Sequence, residues 1–130
     1  MPLTPSVLAV TAQAGDFAKL VADLQGSGLQ VRRSEDLLDA ILSHINTHSD
    51  VMVCDVDSMQ WEEVLQTLQR LRPSVPVILL TRRGDERLWL QMMNAGAFDV
   101  LEKSYQRFQL QWAVVNALGD TSPLSASAGM

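Results

Sequence analysis

Short apolar runs alternate five times with longer amphipathic segments along this chain, and that alternation restricts the fold more than any other feature. Val7-Leu8-Ala9-Val10 is compact and β-capable. From Asp16 to Leu24 the apolar residues Phe17, Leu20, Val21 and Leu24 fall at helical spacing, and Gly26-Ser27-Gly28 ends the run as a cap. Leu29 to Arg32 alternates as an edge strand does, and Ser34 is placed to cap a helix carrying Leu37, Leu38, Ile41, Leu42 and Ile45. Val51-Met52-Val53-Cys54 is continuously apolar, which suits a strand covered on both faces. Trp61, Val64, Leu65, Leu68 and Leu71 mark a third helix, closed by Pro73. Val75 to Leu80 reads as a buried strand with Pro76 near its start, where a missing donor is tolerated. A helix from about Asp85 to Ala95 stops at Gly96, and Phe98 to Leu101 is a fifth strand. A last helix spans Tyr105 to Leu118. Five strands, each followed by a helix, predict an α/β fold with a parallel sheet and helices on both of its faces.

The chain has 130 residues, one domain's worth, with 47% hydrophobic and 19% charged residues, a globular balance. Residues 1–118 form the expected domain, and 119–130 lack periodicity and read as a flexible tail or a linker to a missing output domain. A net charge of -5 argues against nucleic-acid binding by this domain and against docking on anionic membranes. The single Cys54 excludes an internal disulfide. No apolar run is long enough for a membrane span, and the start of the chain has no basic region ahead of an apolar one. A cytoplasmic domain is therefore expected.

Ligands of open parallel sheets sit beyond the carboxyl ends of the strands, where the strand order reverses. The residues there are Thr11-Ala12-Gln13, then Asp55 with Asp57 two positions on, then Thr81-Arg82-Arg83, then Glu102-Lys103. A carboxylate, a hydroxyl and an ammonium converge on one rim. A carboxylate can attack phosphorus, and a hydroxyl with a lysine suits a developing phosphoryl charge. Singly, Asp55 could be a helix cap, Thr81 a turn residue and Lys103 a solvated charge.

These residues resemble those of the receiver domain of bacterial two-component response regulators. The likeness runs from Val7 to about Leu118, most specifically through Asp50 to Asp55, Pro73 to Thr81 and Ala95 to Lys103. It implies a flavodoxin-like, doubly wound (βα)5 three-layer sandwich, a five-stranded parallel sheet of order 2-1-3-4-5. It further implies Asp55 as acceptor of a phosphoryl group from a kinase histidine, Thr81 as the switch hydroxyl and Lys103 as the lysine that pairs with the acyl phosphate. The implied role is signal relay, not enzymatic turnover, with a sensor histidine kinase or another signalling protein as partner.

The chain departs from the family where Mg²⁺ is held. The acidic pair after the first strand is replaced by Thr11 and Ala12, leaving Asp55 and Asp57 as a thin metal site with weak or absent Mg²⁺ binding. Arg82 stands where a small residue follows the switch hydroxyl, Ser104 replaces the proline after Lys103, and Val100 replaces the aromatic switch. Such an atypical receiver signals through protein contacts, with or without phosphorylation. Arg82 or Arg83 could contact a phosphoryl group, or could close the pocket by pairing with Asp57 or Glu86. The alternatives in other classes are a small flavodoxin-like anion- or cofactor-binding protein and an adaptor with a vestigial pocket.

Three weaker signals complete the reading. His44 and His48 share a helix face and could begin a zinc site, although a solvated helix end is the simpler expectation. Cys54, inside a strand, is expected to be an inert small hydrophobe. The fourth and fifth helices carry more apolar residues than one stripe needs, which points to Trp89, Met92, Phe108 and Trp112 as a homodimer or partner surface.

Overall fold

A computed structural model describes residues 4–57 and 59–120. The elements run β1 (Ser6–Val10), α1 (Ala14–Leu24), β2 (Gln30–Ser34), α2 (Leu37–Asn46), β3 (Val51–Asp55), α3 (Trp61–Leu68), β4 (Val77–Thr81), α4 (Glu86–Asn94), β5 (Asp99–Glu102) and α5 (Arg107–Asp120). The strands pair in parallel in the order β2-β1-β3-β4-β5, the flavodoxin-like arrangement expected.

Side-chain alternation on the strands divides the core in two. Leu8, Val10, Met52, Cys54 and Leu79 face one side, where Val64, Leu65 and Leu68 of α3 and Met92 of α4 cover them. Val7, Ala9, Val53, Ile78 and Leu80 face the other, beneath Leu20 and Leu24 of α1 and Leu110, Val114 and Ala117 of α5. Every residue of β1, β3 and β4 is buried, so these three strands form the dry centre of the sandwich. Each fully buried Leu or Val there contributes about 1.5–3 kcal/mol of transfer free energy.

Several local expectations shift. β2 starts one residue later than Leu29 and runs to Ser34, because the ladder with β1 continues through Val10 opposite Ser34. Ser34 is therefore a strand residue and not a cap; the Asp36 side chain caps α2 by accepting from the Asp39 amide at 2.8 Å. β5 covers Asp99–Glu102 and α5 begins at Arg107 instead of Tyr105. Gly96 has φ +112°, the left-handed geometry expected where α4 ends. α5 continues through Gly119 and Asp120, while the remaining tail, 121–130, lies outside the described residues.

His44 is not at a solvated helix end. It is fully buried, its Nδ1 accepting from the Ser49 amide at 3.1 Å and its Nε2 lying 3.0 Å from the Pro73 carbonyl. That arrangement places the proton on Nε2 and uses both ring nitrogens, leaving none for a metal. His48 is exposed and stacks obliquely on it, with ring centroids 5.5 Å apart.

Of the four residues expected on a partner surface, Trp89, Phe108 and Trp112 are exposed. Met92 is not among them, since it is completely buried in the core. It lies on the α4 stripe that packs against the sheet, and that stripe cannot also face a partner.

Candidate functional site

The topology makes the site. β1 sits between β2 and β3, so the chain leaves it in opposite directions and a crevice opens at the carboxyl ends of β1, β3 and β4. Asp55 is the last residue of β3 and Thr81 the last of β4. Lys103 follows β5, and its amide donates to the Thr81 carbonyl at 2.8 Å, so the hydroxyl and the ammonium are tied to one another through the backbone. The structure thus brings Asp55, Thr81 and Lys103 to one rim, with Asp57 among them.

Lys103 is the hub. Its Nζ lies 2.6 Å from Asp55 Oδ2, 3.0 Å from Asp57 Oδ2 and 3.5 Å from Asp16 Oδ2. Burial pulls the ammonium's pKa down, but hydrogen bonds and charge from Asp55 and Asp57 outweigh that and raise it above the ordinary lysine value. Asp55 is 5% exposed, and its Oδ1 accepts from the Asp57 amide at 3.0 Å.

Asp57 folds back into the crevice. Its Oδ1 accepts from Thr81 Oγ1 at 3.0 Å, and the Arg82 amide donates to both its oxygens, at 3.1 and 3.2 Å. Partial burial pushes the Asp57 carboxyl up, yet the bonds from Lys103, the Arg82 amide and Thr81 hold it below the usual carboxylate range. The Arg82 guanidinium adds a distant ion pair to Asp57, Nε to Oδ2 at 3.8 Å, from a side chain that is largely exposed. Of the two arginine roles open in the sequence, the pairing with Asp57 is present in the structure, made more by the backbone amide of Arg82 than by its charge.

Asp16 is the residue that sequence reasoning passed over. It occupies the first turn of α1, and its position on the helix that follows β1 was the available signal, since that turn borders the same rim. Thr11 is fully buried and its Oγ1 accepts from the Gln13 amide, while the Arg33 guanidinium covers the loop by donating to the Thr11 and Ala12 carbonyls at 3.3 and 3.1 Å.

This donor set does not fit a hard divalent cation. Mg²⁺ asks for free carboxylate and carbonyl oxygens in octahedral geometry. Here the Asp55 and Asp57 oxygens are engaged by an ammonium, a hydroxyl and amides, and the Thr11 and Ala12 carbonyls face a guanidinium. Among the described residues no group of three or more His, Cys, Asp or Glu is arranged to hold a metal. The cavity against Asp55, bordered by Thr11, Asp16 and Lys103, is only about 40 Å³. A larger one of about 430 Å³ lies between α4 and β5, bordered by Thr81, Leu88, Trp89 and Val100.

Cys54 is completely buried, and burial together with the Asp55 charge pushes its thiol up to about 12, which suits an inert residue. Among the described residues no helix is long and apolar enough to cross a membrane.

The family profile described as "Response regulator receiver domain" matches residues 5–115. The chain is 33% identical over 116 residues to the transcriptional regulatory protein TdiR of Thauera aromatica, covering 87% of this chain and 51% of TdiR. It is 39% identical over 70 residues to the C4-dicarboxylate transport transcriptional regulatory protein DctD of Pseudomonas aeruginosa, covering 54% of this chain and 14% of DctD. The chain thus spans about half the length of TdiR and 14% of DctD. A response regulator from Thermotoga maritima superposes with TM-score 0.81 at 21% identity, covering 89% of this chain and 98% of that one.

Proposed function

This chain belongs to the response regulator receiver domain family of two-component signalling, and from that premise we propose that it is an atypical receiver that signals through protein contacts without Mg²⁺-dependent phosphorylation. Asp55 occupies the phosphoacceptor position, Thr81 the switch-hydroxyl position and Lys103 that of the phosphoryl-pairing lysine. The observation that carries the reading is the 2.6 Å ion pair between Asp55 and Lys103 at the buried end of β3, beside Thr11 and Ala12 where carboxylates would stand. The ammonium covers Asp55 Oδ2, the Asp57 amide covers Oδ1 and the side chain is almost wholly buried, so a phosphodonor has little access to a free nucleophilic oxygen.

Receiver domains as a class are signalling domains that work with sensor kinases and bind Mg²⁺ at the phosphorylation site. For this chain the proposal is a cytoplasmic, non-enzymatic domain whose partner is a sensor kinase or another signalling protein. The exposed side chains of Trp89, Phe108 and Trp112 offer a contact surface on α4 and α5, for a partner or a second copy.

The test is intact-mass measurement after incubation with acetyl phosphate and Mg²⁺, beside an Asp55→Ala control. Transfer would form a bond between Asp55 Oδ and phosphorus as the phosphorus–oxygen bond to acetate breaks, with acetate leaving. The expected result is no Asp55-dependent adduct. A stoichiometric adduct that vanishes in the control overturns the phosphorylation-independent reading.

A further inference from the structure

We infer that Thr81, the Arg82 amide and Lys103 form an oxyanion site whose resident ligand is the chain's own Asp57 carboxylate. The inference deepens the receiver reading, because it treats these donors as the ones that would meet a phosphoryl group. It does not depend on whether Asp55 can be phosphorylated.

Three donors of different chemistry, from three segments, meet on one carboxylate. A hydroxyl comes from the end of β4, a backbone amide from the loop after it, and an ammonium from the loop after β5, all within 3.0–3.2 Å of Asp57 oxygens. Thr81 is 3% exposed, so its hydroxyl has an anionic acceptor in place of bulk water. A hydroxyl, an amide and an ammonium aimed at one point are what an oxyanion with two or three terminal oxygens requires. Asp57 supplies two such oxygens and one negative charge.

The chain also holds Asp57 in position. Its own amide donates to Asp55 Oδ1 at 3.0 Å, which turns the loop back on the strand end and carries the side chain towards β4. An ordinary surface ion pair would engage the flexible Arg82 guanidinium at short range. Here that group stays 3.8 Å away and mostly in solvent, while the fixed backbone amide makes the bonds. The result is a Thr81 hydroxyl and an Arg82 loop held in an anion-bound geometry with no transferred group.

Inorganic phosphate is the probe that separates a filled anion site from a mere loop staple. Amide NMR spectra of the wild type, Asp57→Ala and Asp57→Asn are followed during a phosphate titration at neutral pH. Emptying the site should let phosphate in: the Arg82, Arg83 and Lys103 amides of both variants shift saturably, with an apparent Kd lower than the wild type's by about tenfold or more. Adding Thr81→Val to Asp57→Ala should weaken the response. Equal titration of variants and wild type, or silence in a variant whose spectrum is that of a folded chain, overturns the inference. If both variants fail to fold, Thr81→Val alone decides: losing the hydroxyl that holds Asp57 Oδ1 should shift the Arg82 amide and let phosphate titrate it, and an Arg82 amide that neither shifts nor titrates overturns the inference. The mass measurement reads Asp55 and the phosphate titration reads Asp57, so either result can fail alone.

Discussion

Replacing Lys103 by Met leaves three carboxylates around an apolar side chain of similar length. The ammonium lies 2.6 Å from Asp55 and 3.0 Å from Asp57, and its own side chain is 17% exposed. Each contact is worth roughly 5–6 kcal/mol of gross attraction at an effective dielectric near 20, most of it cancelled by the desolvation of both partners. The third contact, to the half-exposed Asp16, adds about 0–1 kcal/mol. Removing one partner of a buried pair strands the other charge, and that costs about 3–5 kcal/mol, a large part of a domain stability of roughly 5–15 kcal/mol. The sign with pH is fixed by the two shifted groups. Asp57 ionises at lower pH folded than unfolded, so its contribution is complete above about pH 4 and disappears as pH falls through its folded-state value. Lys103 has a raised folded value, so its contribution is complete below about pH 10.4 and is lost only as pH rises beyond that through the folded value. Between these limits the wild type keeps the full interaction. In the Met variant the Lys103 bond and charge that lower the Asp57 carboxyl are gone while its partial burial remains, so the deficit is full at pH 7 and shrinks as pH falls towards the range where Asp57 takes up a proton. Urea unfolding followed by tryptophan fluorescence at pH 7 and pH 5 measures both. A deficit under about 1 kcal/mol at pH 7, or one equal at the two pH values, would refute the assignment of Lys103 as the hub.

Gly96→Ala forces a side chain into φ +112°, where its Cβ would also collide with Gln69, so about 1–2 kcal/mol or more should be lost in urea denaturation. His44→Leu leaves the Ser49 amide and the Pro73 carbonyl without their partners, and thermal melting should report a loss of about 2–5 kcal/mol. The Cys54 thiol, buried and raised to about 12, should react with a disulfide reagent only at the rate of unfolding; rapid labelling of the native chain at neutral pH would contradict its placement. Trp112→Glu tests the α5 surface by sedimentation: an associated wild type should become monomeric, and identical monomers in both would remove the homodimer proposal.

What the sequence made legible was whatever depends on periodicity. Val51 to Cys54 carries no polar interruption, and all five residues of β3 are indeed buried. Ser34 reads as a cap because its side chain suits one, whereas the ladder pairing with Val10 that claims it is a long-range fact. For His44, helical spacing gives the face and not the depth; its partner at Pro73 is 29 residues away. Met92 shows the same limit on a helix with apolar residues all round. In the site, Asp55, Thr81 and Lys103 could be found because strand ends mark a rim. The occupancy of that rim by Asp57, and the approach of Asp16, follow from how two loops turn, which residue type alone does not encode.

The attachment of Asp57 two residues from Asp55 has a further consequence. A ligand joined by so short a stretch of chain faces its site at an effective concentration of millimolar order or above, so any free oxyanion must compete with it at that level. An acyl phosphate also ends by hydrolysis, which gives an ordinary phosphorelay its clock. A carboxylate held by its own backbone has no bond to hydrolyse and no clock. Control then passes to whatever sets the number of chains present, and to any partner that pulls the loop of Asp57 out of the crevice.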